Sequence, residues 1–515
     1  MGYLVQASQY IAYTLVLYFI LSVIYNRYFH PLRDYPGPFL ASTTRLPYIT
    51  AYVQGTGPQF VRALHDRYGN VVRIAPDELS FRDVTAWMEI YGARSSSKPS
   101  LLKDMRFYNV SRNGVPNLVV APTDEIHKRQ RRIISRAFSD AALKDQEPLL
   151  QSYVDLFLDR LDERAKTTNG RVTNILEWFH FVTFDFMTEY IFGESFSCLQ
   201  NCEYHPWVRV IIDTIKAWPV ISSAKYLPTL APLIQIIALF FYRDILRRRR
   251  ESFQLGLSKI RKRLARQESG HYPDFISHVH ASKKIRELSL TQEELDSNSS
   301  FLVLAGSETL STSLSGCTYY LLANQDSYTK LTNEIRQSFS SLSEISFAKL
   351  AQLPYLDAVI NETFRIRPPA PLGMPRCVPS GGSIISGHYI PGGTTVSVPH
   401  WASYRSSHHF TDPDEFIPER WLRGGGERFV NDNKDILQPF SVGPRNCLGR
   451  SLALAELRLI LAKTLWKFDM ELCEGSFGWD MKQRAFVAWD NTPLMDGLSS
   501  SLGDKGEFLS RRDMQ

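Results

Sequence analysis

The sequence predicts a mainly α chain with small β-sheets at its edges, carried behind one apolar N-terminal helix. Three observations predict this class. Apolar residues recur at helical spacing along most of 124–347 and again over 446–466, with turn clusters between the runs. Strand signals are confined to two short stretches, 71–81 and 381–398. Residues 3–25 carry no charge at all. The composition agrees: of 515 residues, 44% are hydrophobic and 22% charged, which excludes wholesale disorder. Length alone suggests about three to four domains, yet no internal repeat and no domain-separating linker interrupts the chain. The Gly424-Gly-Gly426 run is short enough for a loop.

From the N-terminus, the run Tyr10 to Ile24 sits within an uncharged stretch long enough to reach the roughly 30 Å of a hydrocarbon core. Tyr3, Tyr25 and Tyr28 lie where interfacial aromatics belong. Arg27, His30 and Arg33 follow, with no acid before Asp34, so the positive-inside rule keeps the body of the chain cytoplasmic. A cleaved signal peptide lacks support, because no basic segment precedes the run and no small-x-small site follows it. A buried core helix is the other alternative. Tyr35-Pro-Gly-Pro38 then stops any helix and forms a stiff elbow. Four segments are expected: an anchor over 1–28, the elbow over 29–38, one large domain over 39–495, and a flexible tail over 496–515.

Within the large domain, Gln59 to Tyr68 predicts an amphipathic helix ended by Gly69. Val71 to Phe81 predicts a hairpin around Pro76-Asp77. Tyr226 to Tyr242 is apolar but broken by Pro228 and Pro232, as a half-buried surface element would be. Ser383-Ile-Ile-Ser386 and Thr394 to Val398 flank a turn at Pro391-Gly-Gly393.

The charge balance, 59 basic against 53 acidic residues, gives a net +6. That does not suggest a nucleic-acid partner, although it allows a local basic docking patch. Six cysteines are too few for a disulfide scaffold, which points to a reducing compartment.

The most informative segment is Phe440-Ser-Val-Gly-Pro-Arg-Asn-Cys-Leu-Gly449. Gly443 and Pro444 turn the chain, and Cys447 falls just before a helix beginning at Arg450. A sulfur at a helix N-terminus meets free N–H groups and the positive end of the dipole, both of which lower a thiol pKa. Gly449 leaves room for a flat ligand, and Arg445 can pair with an anionic group on it. The segment resembles the haem-binding loop of the cytochrome P-450 family, Phe-x-x-Gly-x-Arg-x-Cys-x-Gly, at every defined position. The resemblance implies a cytochrome P-450 fold behind an N-terminal transmembrane helix. It makes haem b the cofactor and Cys447 the axial ligand of its iron, with Phe440, Arg445 and Gly449 around it.

Other motifs fit the same resemblance. Glu362-Thr-Phe-Arg365 is an i, i+3 pair on one helix face, and Phe416-Ile-Pro-Glu-Arg-Trp421 resembles the family's Pro-Glu-Arg segment. Together they imply a structural triad of Glu362, Arg365 and Arg420 behind the haem. Ala305-Gly-Ser-Glu-Thr309 lies inside an apolar helical run. Read from the residues, it is either tight packing at Gly306 with Glu308 and Thr309 solvated, or a local widening that admits dioxygen. The resemblance implies the second, with Glu308 and Thr309 as the acid–alcohol pair that delivers protons.

His127 to Phe138 is a basic helix in which His127 and Arg131 share one face and Arg129, Arg132 and Arg136 another. The family carries Trp-x-x-x-Arg here, so Arg131 and, in place of the Trp, His127 are expected at a haem propionate. Arg376 is expected at the other. The second face is a candidate docking patch for an acidic electron donor. No phosphate-cradling loop or dinucleotide fingerprint is present. Electrons are therefore expected from another protein, an NADPH–cytochrome reductase, with cytochrome b5 as a second candidate.

These expectations amount to a single-pass, endoplasmic-reticulum monooxygenase with a cytosolic catalytic domain. Haem-thiolate isomerases, dehydratases and a non-catalytic haem protein are the alternatives, and Glu308 with Thr309 favours oxygen activation over them. By family position the pocket wall takes in Phe301, Leu302, Ala305, Ala370 to Met374 and the surroundings of Asn491, which suit a lipophilic substrate. Arg33 to Leu40 and Phe416 to Leu422 are similar to fungal secondary-metabolism members, which suggests a terpenoid, polyketide or alkaloid scaffold. Past Met495 the family continues into a final strand, whereas Asp496 to Gly503 looks frayed.

Overall fold

The computed structural model describes residues 2–94, 99–108, 113–167, 172–266, 272–280 and 290–500. They pack around one 32-residue helix, Gln292–Ala323. Its start is strongly specified: Thr291 and Glu294 form a reciprocal capping box, and Glu293 adds a second acid to the first turn. The helix is buried on nearly every side, so several of its serines satisfy themselves locally. Ser307, Ser311, Ser313 and Ser315 each donate to a carbonyl three or four residues back. Its most extensive partner is the helix Ile175–Phe192, buried throughout except at Glu177 and Glu189. Around this pair lie Asp124–Ile134, Asp140–Ala165, Pro206–Tyr226, Pro354–Ile366 and Arg450–Lys467. The predicted mainly helical class with small sheets is what the chain adopts.

The expected hairpin is present, with Val71–Ala75 antiparallel to Glu78–Phe81. It heads a five-stranded sheet continued by Thr395–Ser397, Arg376–Cys377 and Leu102–Lys103. The turn expected at Pro391-Gly-Gly393 joins different partners. Ser383–Ile385 pairs with His388–Ile390 through Ser386 and Gly387, both at positive φ. That two-residue turn matches strand twist and captures the first segment. Thr395–Ser397 is thereby free to pair in parallel with Glu78–Phe81.

The flexible tail expected from residue 496 is corrected over its first residues. Met495–Ser500 is the central strand of a three-stranded sheet, between Val172–Asn174 and Phe468–Leu472. Asp496 and Leu498 both point to the buried side. A carboxylate at a core position broke the apolar alternation that would have announced the strand. Burial raises the Asp496 pKa well above the carboxylate range, so the group is neutral there. The remainder of the tail, 501–515, lies outside the described residues.

The N-terminal helix runs Gly2–Ile24, and five further residues continue it as a wider turn. Among the described residues no single helix is long and apolar enough to cross a membrane. Val16–Phe29 is a shorter apolar helix. Pro206–Tyr226 and Pro228–Phe241 together have the length and composition of a span but are bent by 108°. The expected half-buried element at Tyr226 to Tyr242 is mostly exposed: Leu233, Ile236, Phe240 and Phe241 all face outward.

Candidate functional site

The loop carrying Cys447 is held from both ends. Ser441 and Gly443 adopt positive φ, and the Cys447 N–H returns to the Phe440 carbonyl at 2.8 Å. Gly443 is required as glycine, because a Cβ there would lie 2.1 Å from the Tyr91 carbonyl oxygen. The Phe440 ring meets Phe364 edge-on at 5.4 Å, which ties the loop to the Pro354–Ile366 helix. Cys447 thus stands two residues before the Arg450–Lys467 helix, with its side chain exposed.

Its thiol pKa is raised, against the lowering expected from a helix N-terminus. Although the side chain reaches the surface, the protein packed around its sulfur disfavours the thiolate and outweighs the Gly449 N–H and the charges of Arg131 and Arg450. A Cβ built on Gly449 meets nothing within 4 Å, so open space lies beside the loop.

The basic helix Asp124–Ile134 lies against this loop. Arg131 donates to the Asn446 carbonyl at 2.7 Å and to its side-chain oxygen at 2.5 Å. It therefore braces the cysteine loop directly. Arg445 turns toward the start of the same helix, donating to Asp124 at 3.0 Å and to the carbonyls of Ala121 and Thr123. His127 is buried, and its pKa falls to about 3, through burial first and then the charges of Arg445, Arg131 and Lys103. It is a neutral imidazole. Of the expected second face, Arg132 and Arg136 are exposed, but Arg129 is drawn aside to pair with Glu294 of the central helix.

Arg376 and Lys103 sit directly opposite each other across an antiparallel strand pair, and both are buried. Like charges in register cost stability unless an anion lies between them. Lys103 shows the strain: burial, Arg376 and Arg445 hold its ammonium well below the lysine range. Nε and Nη1 of Arg376 are buried with no hydrogen-bond partner. These residues fit the carboxylates of haem b, and the thiol and the open side of Gly449 fit its flat, iron-bearing ring. Lys103 was missed by sequence reading, since its strand has only two residues and carries no periodic signal.

The triad forms as expected. Arg365 donates bidentately to Glu362, both contacts at 2.8 Å, and Arg420 Nε reaches the same carboxylate at 3.2 Å. All three side chains are fully buried. Trp421 Nε1 and the Ile417 N–H complete the shell of Glu362 at 2.9 and 2.8 Å. Arg420 is also held by Asp432 at 2.5 Å.

On the central helix the two readings of Ala305 to Thr309 divide. Gly306 is a packing glycine, because a Cβ there would strike the Met187 thioether at 2.6 Å. Glu308 is buried rather than solvated, with Oε2 3.4 Å from Nε2 of His180. Thr309 is exposed between buried neighbours, and its hydroxyl donates to the Ala305 carbonyl at 2.8 Å. His180 was also missed: a single histidine in an apolar helix carries no signal that it meets a glutamate 128 residues away.

Comparison with known proteins agrees with this chemistry. The cytochrome P-450 family model matches residues 40–494. A cytochrome P-450 monooxygenase of Purpureocillium lilacinum is 41% identical over 485 residues, covering 93% of this chain and 92% of that protein. Averantin hydroxylase of Dothistroma septosporum is 41% identical over 484 residues, covering 93% and 89%. Trichothecene C-15 hydroxylase of Fusarium sporotrichioides is 39% identical over 478 residues, covering 93% and 95%. A match along almost the whole chain, on top of a cysteine loop flanked by paired, unneutralised cations, leads to one conclusion: the chain belongs to the cytochrome P-450 family of haem-thiolate proteins.

Proposed function

We propose that this protein is a membrane-anchored monooxygenase that oxidises a lipophilic secondary metabolite, a terpenoid, polyketide or alkaloid scaffold. The observation that carries it is the exposed Cys447 in a loop whose Arg445 lies within electrostatic reach of the opposed Lys103 and Arg376. Bound there, haem supplies the dioxygen-activating iron. Cys447 would hold its iron through the sulfur. Arg376, Lys103 and Arg445 neutralise its carboxylates, while Arg131 fixes the loop that presents the sulfur. Thr309 offers a hydroxyl on the exposed strip of the central helix, and the buried Glu308 carboxyl lies one residue away. This pair favours oxygenation over isomerase or dehydratase chemistry. The hydroxylase names of the fungal relatives support the same reading.

Electrons come from an NADPH–cytochrome reductase, with cytochrome b5 as a second donor. The exposed Lys128, Arg132 and Arg136, on the helix that braces the cysteine loop, suit an acidic partner. The catalytic body is placed on the cytosolic face of the endoplasmic reticulum. Apolar exposure supports membrane contact: Leu17, Phe19, Ile20 and Leu21 on the first helix, and Ile236, Phe240 and Phe241 on Ala231–Phe241.

Reconstitution with a fungal reductase, NADPH and isotope-labelled dioxygen tests the reaction. Label incorporated into a lipophilic scaffold from a producing culture is expected, and rearrangement without label would favour the isomerase alternative. Thr309→Ala is expected to keep the haem spectrum but divert electrons to peroxide or water, lowering product per NADPH by about tenfold or more. Fully coupled turnover would remove Thr309 from the proton path. Deleting residues 1–28 is expected to move the protein from the membrane pellet to the supernatant. Unchanged pelleting would put the contact on the Ala231–Phe241 face instead.

A further inference from the structure

Three polar side chains run in file through the apolar contact between Ile175–Phe192 and the central helix. Oε2 of Glu308 lies 3.4 Å from Nε2 of His180, and Nδ1 of His180 lies 3.1 Å from the Tyr204 hydroxyl. His180 is 5% exposed and Glu308 7%, whereas Tyr204 is half-buried, so the file leads from the core toward solvent. Nε2 of His180 is buried and makes no hydrogen bond among the described residues, which leaves its approach to Glu308 at ion-pair distance. Burial, and after it Glu177, Glu308 and Cys198, raise the Tyr204 pKa despite the opposing charge of Arg209. Tyr204 therefore stays a neutral phenol. Its hydroxyl is the hydrogen-bond partner of Nδ1, and the contact turns the other ring nitrogen toward Glu308.

We propose that His180, oriented by Tyr204, is the group that recharges Glu308 with protons during turnover. This inference rests on the monooxygenase reading. In each cycle the His180 Nε2–H bond breaks as an O–H bond forms on Glu308 Oε2, and the Tyr204 O–H bond breaks as an N–H bond forms on Nδ1. Solvent water returns a proton to the half-buried Tyr204 oxygen, and a turn of the ring restores the starting tautomer; no electron moves. Neither residue touches the reacting atoms; both are positioning residues that act through Glu308. The charged and titratable groups facing the file are Glu177 on the same helix, Arg209 on Pro206–Tyr226, and Cys198.

The test uses the full-length, haem-loaded protein carrying His180→Gln. The reduced carbon-monoxide band and the substrate-induced spectral shift should persist, while product per NADPH falls by about tenfold or more. The infrared band of the protonated Glu308 carboxyl, assigned as the band that Glu308→Gln removes, should shift in His180→Gln. Adding His180→Gln to Glu308→Gln should cause no further loss, since the two act in series. Unchanged coupling with an unmoved infrared band would overturn the proposal, as would additive losses in the double variant. If His180→Gln does not load haem, Tyr204→Phe removes only the oxygen at Nδ1, and the Glu308 infrared band must shift in that variant for the proposal to stand. Wild-type protein that oxygenates nothing would sink the monooxygenase reading instead, while the infrared band would still report on the pair.

Discussion

Cys447→Ala is expected to abolish the red-shifted Soret band of the reduced carbon-monoxide complex and, with it, all oxygen insertion. No other sulfur can take its place. Cys198 and Cys317 are buried in the hydrophobic core, and Cys377, Cys473 and Cys202 stand outside the loop. The loss follows from the loop's construction. Arg131 braces Asn446, Phe440 is locked on Phe364, and Gly443 fits against the Tyr91 carbonyl. Replacing one sulfur leaves all of that in place, so the variant should fold and its defect should be confined to the iron. Cys317→Ala is the matched control: a buried thiol, pushed up to about 12 by burial, that should leave the band unchanged. A wild-type spectrum from Cys447→Ala would refute the ligand assignment, and loss of the band in both variants would indicate general destabilisation.

What the sequence disclosed about this site was what lies close together along the chain. The cysteine loop is ten residues, and the Glu362–Arg365 pair is one helical turn. Both could be read directly, because local spacing dictates which side chains share a face. The class of the fold was legible for the same reason, since helical periodicity repeats along most of the chain. Contacts between distant segments were not. Lys103 reaches Arg376 only because a two-residue strand pairs with another across the sheet. Glu308 reaches His180 only because two largely buried helices cross there, and a helix buried on nearly all sides has little polar face to advertise its register. Ser386-Gly387 and Pro391-Gly-Gly393 offered competing turns five residues apart, and long-range sheet pairing decided between them. Asp496 hid a strand because a neutralised carboxyl occupied a core position that patterning reserves for an apolar side chain.

Glu362→Gln should produce the largest loss of stability of any single charge removed from this chain. The carboxylate is fully buried and accepts from Arg365, Arg420, Trp421 and the Ile417 N–H. The substitution keeps the volume but leaves the Arg365 guanidinium in the core without a counter-charge. Removing one partner of such a buried pair costs about 3–5 kcal/mol, against roughly 0–1 kcal/mol for an exposed pair such as Lys166–Asp162. Arg420 suffers less, because Asp432 still holds it. Arg365 is bound in addition to the carbonyls of Tyr404, Pro413 and Glu415. Its displacement would therefore loosen the chain between Tyr404 and Trp421, and through Phe364 and Phe440 the cysteine loop. Haem retention and the thermal midpoint should fall together. The pH dependence gives an independent signature. Burial alone would raise the Glu362 pKa, but the two arginines and the Ile417 N–H hold it below the ordinary carboxylate value. A group depressed on folding contributes its full stability above the unfolded carboxyl pKa of about 4.3 and loses it as pH falls through the folded value. Wild-type protein should therefore lose stability on acidification through a component that Glu362→Gln lacks. Parallel acid profiles for the two proteins, or a Glu362→Gln midpoint no lower than that of Asp162→Asn, would show that the buried triad does not hold this part of the fold together.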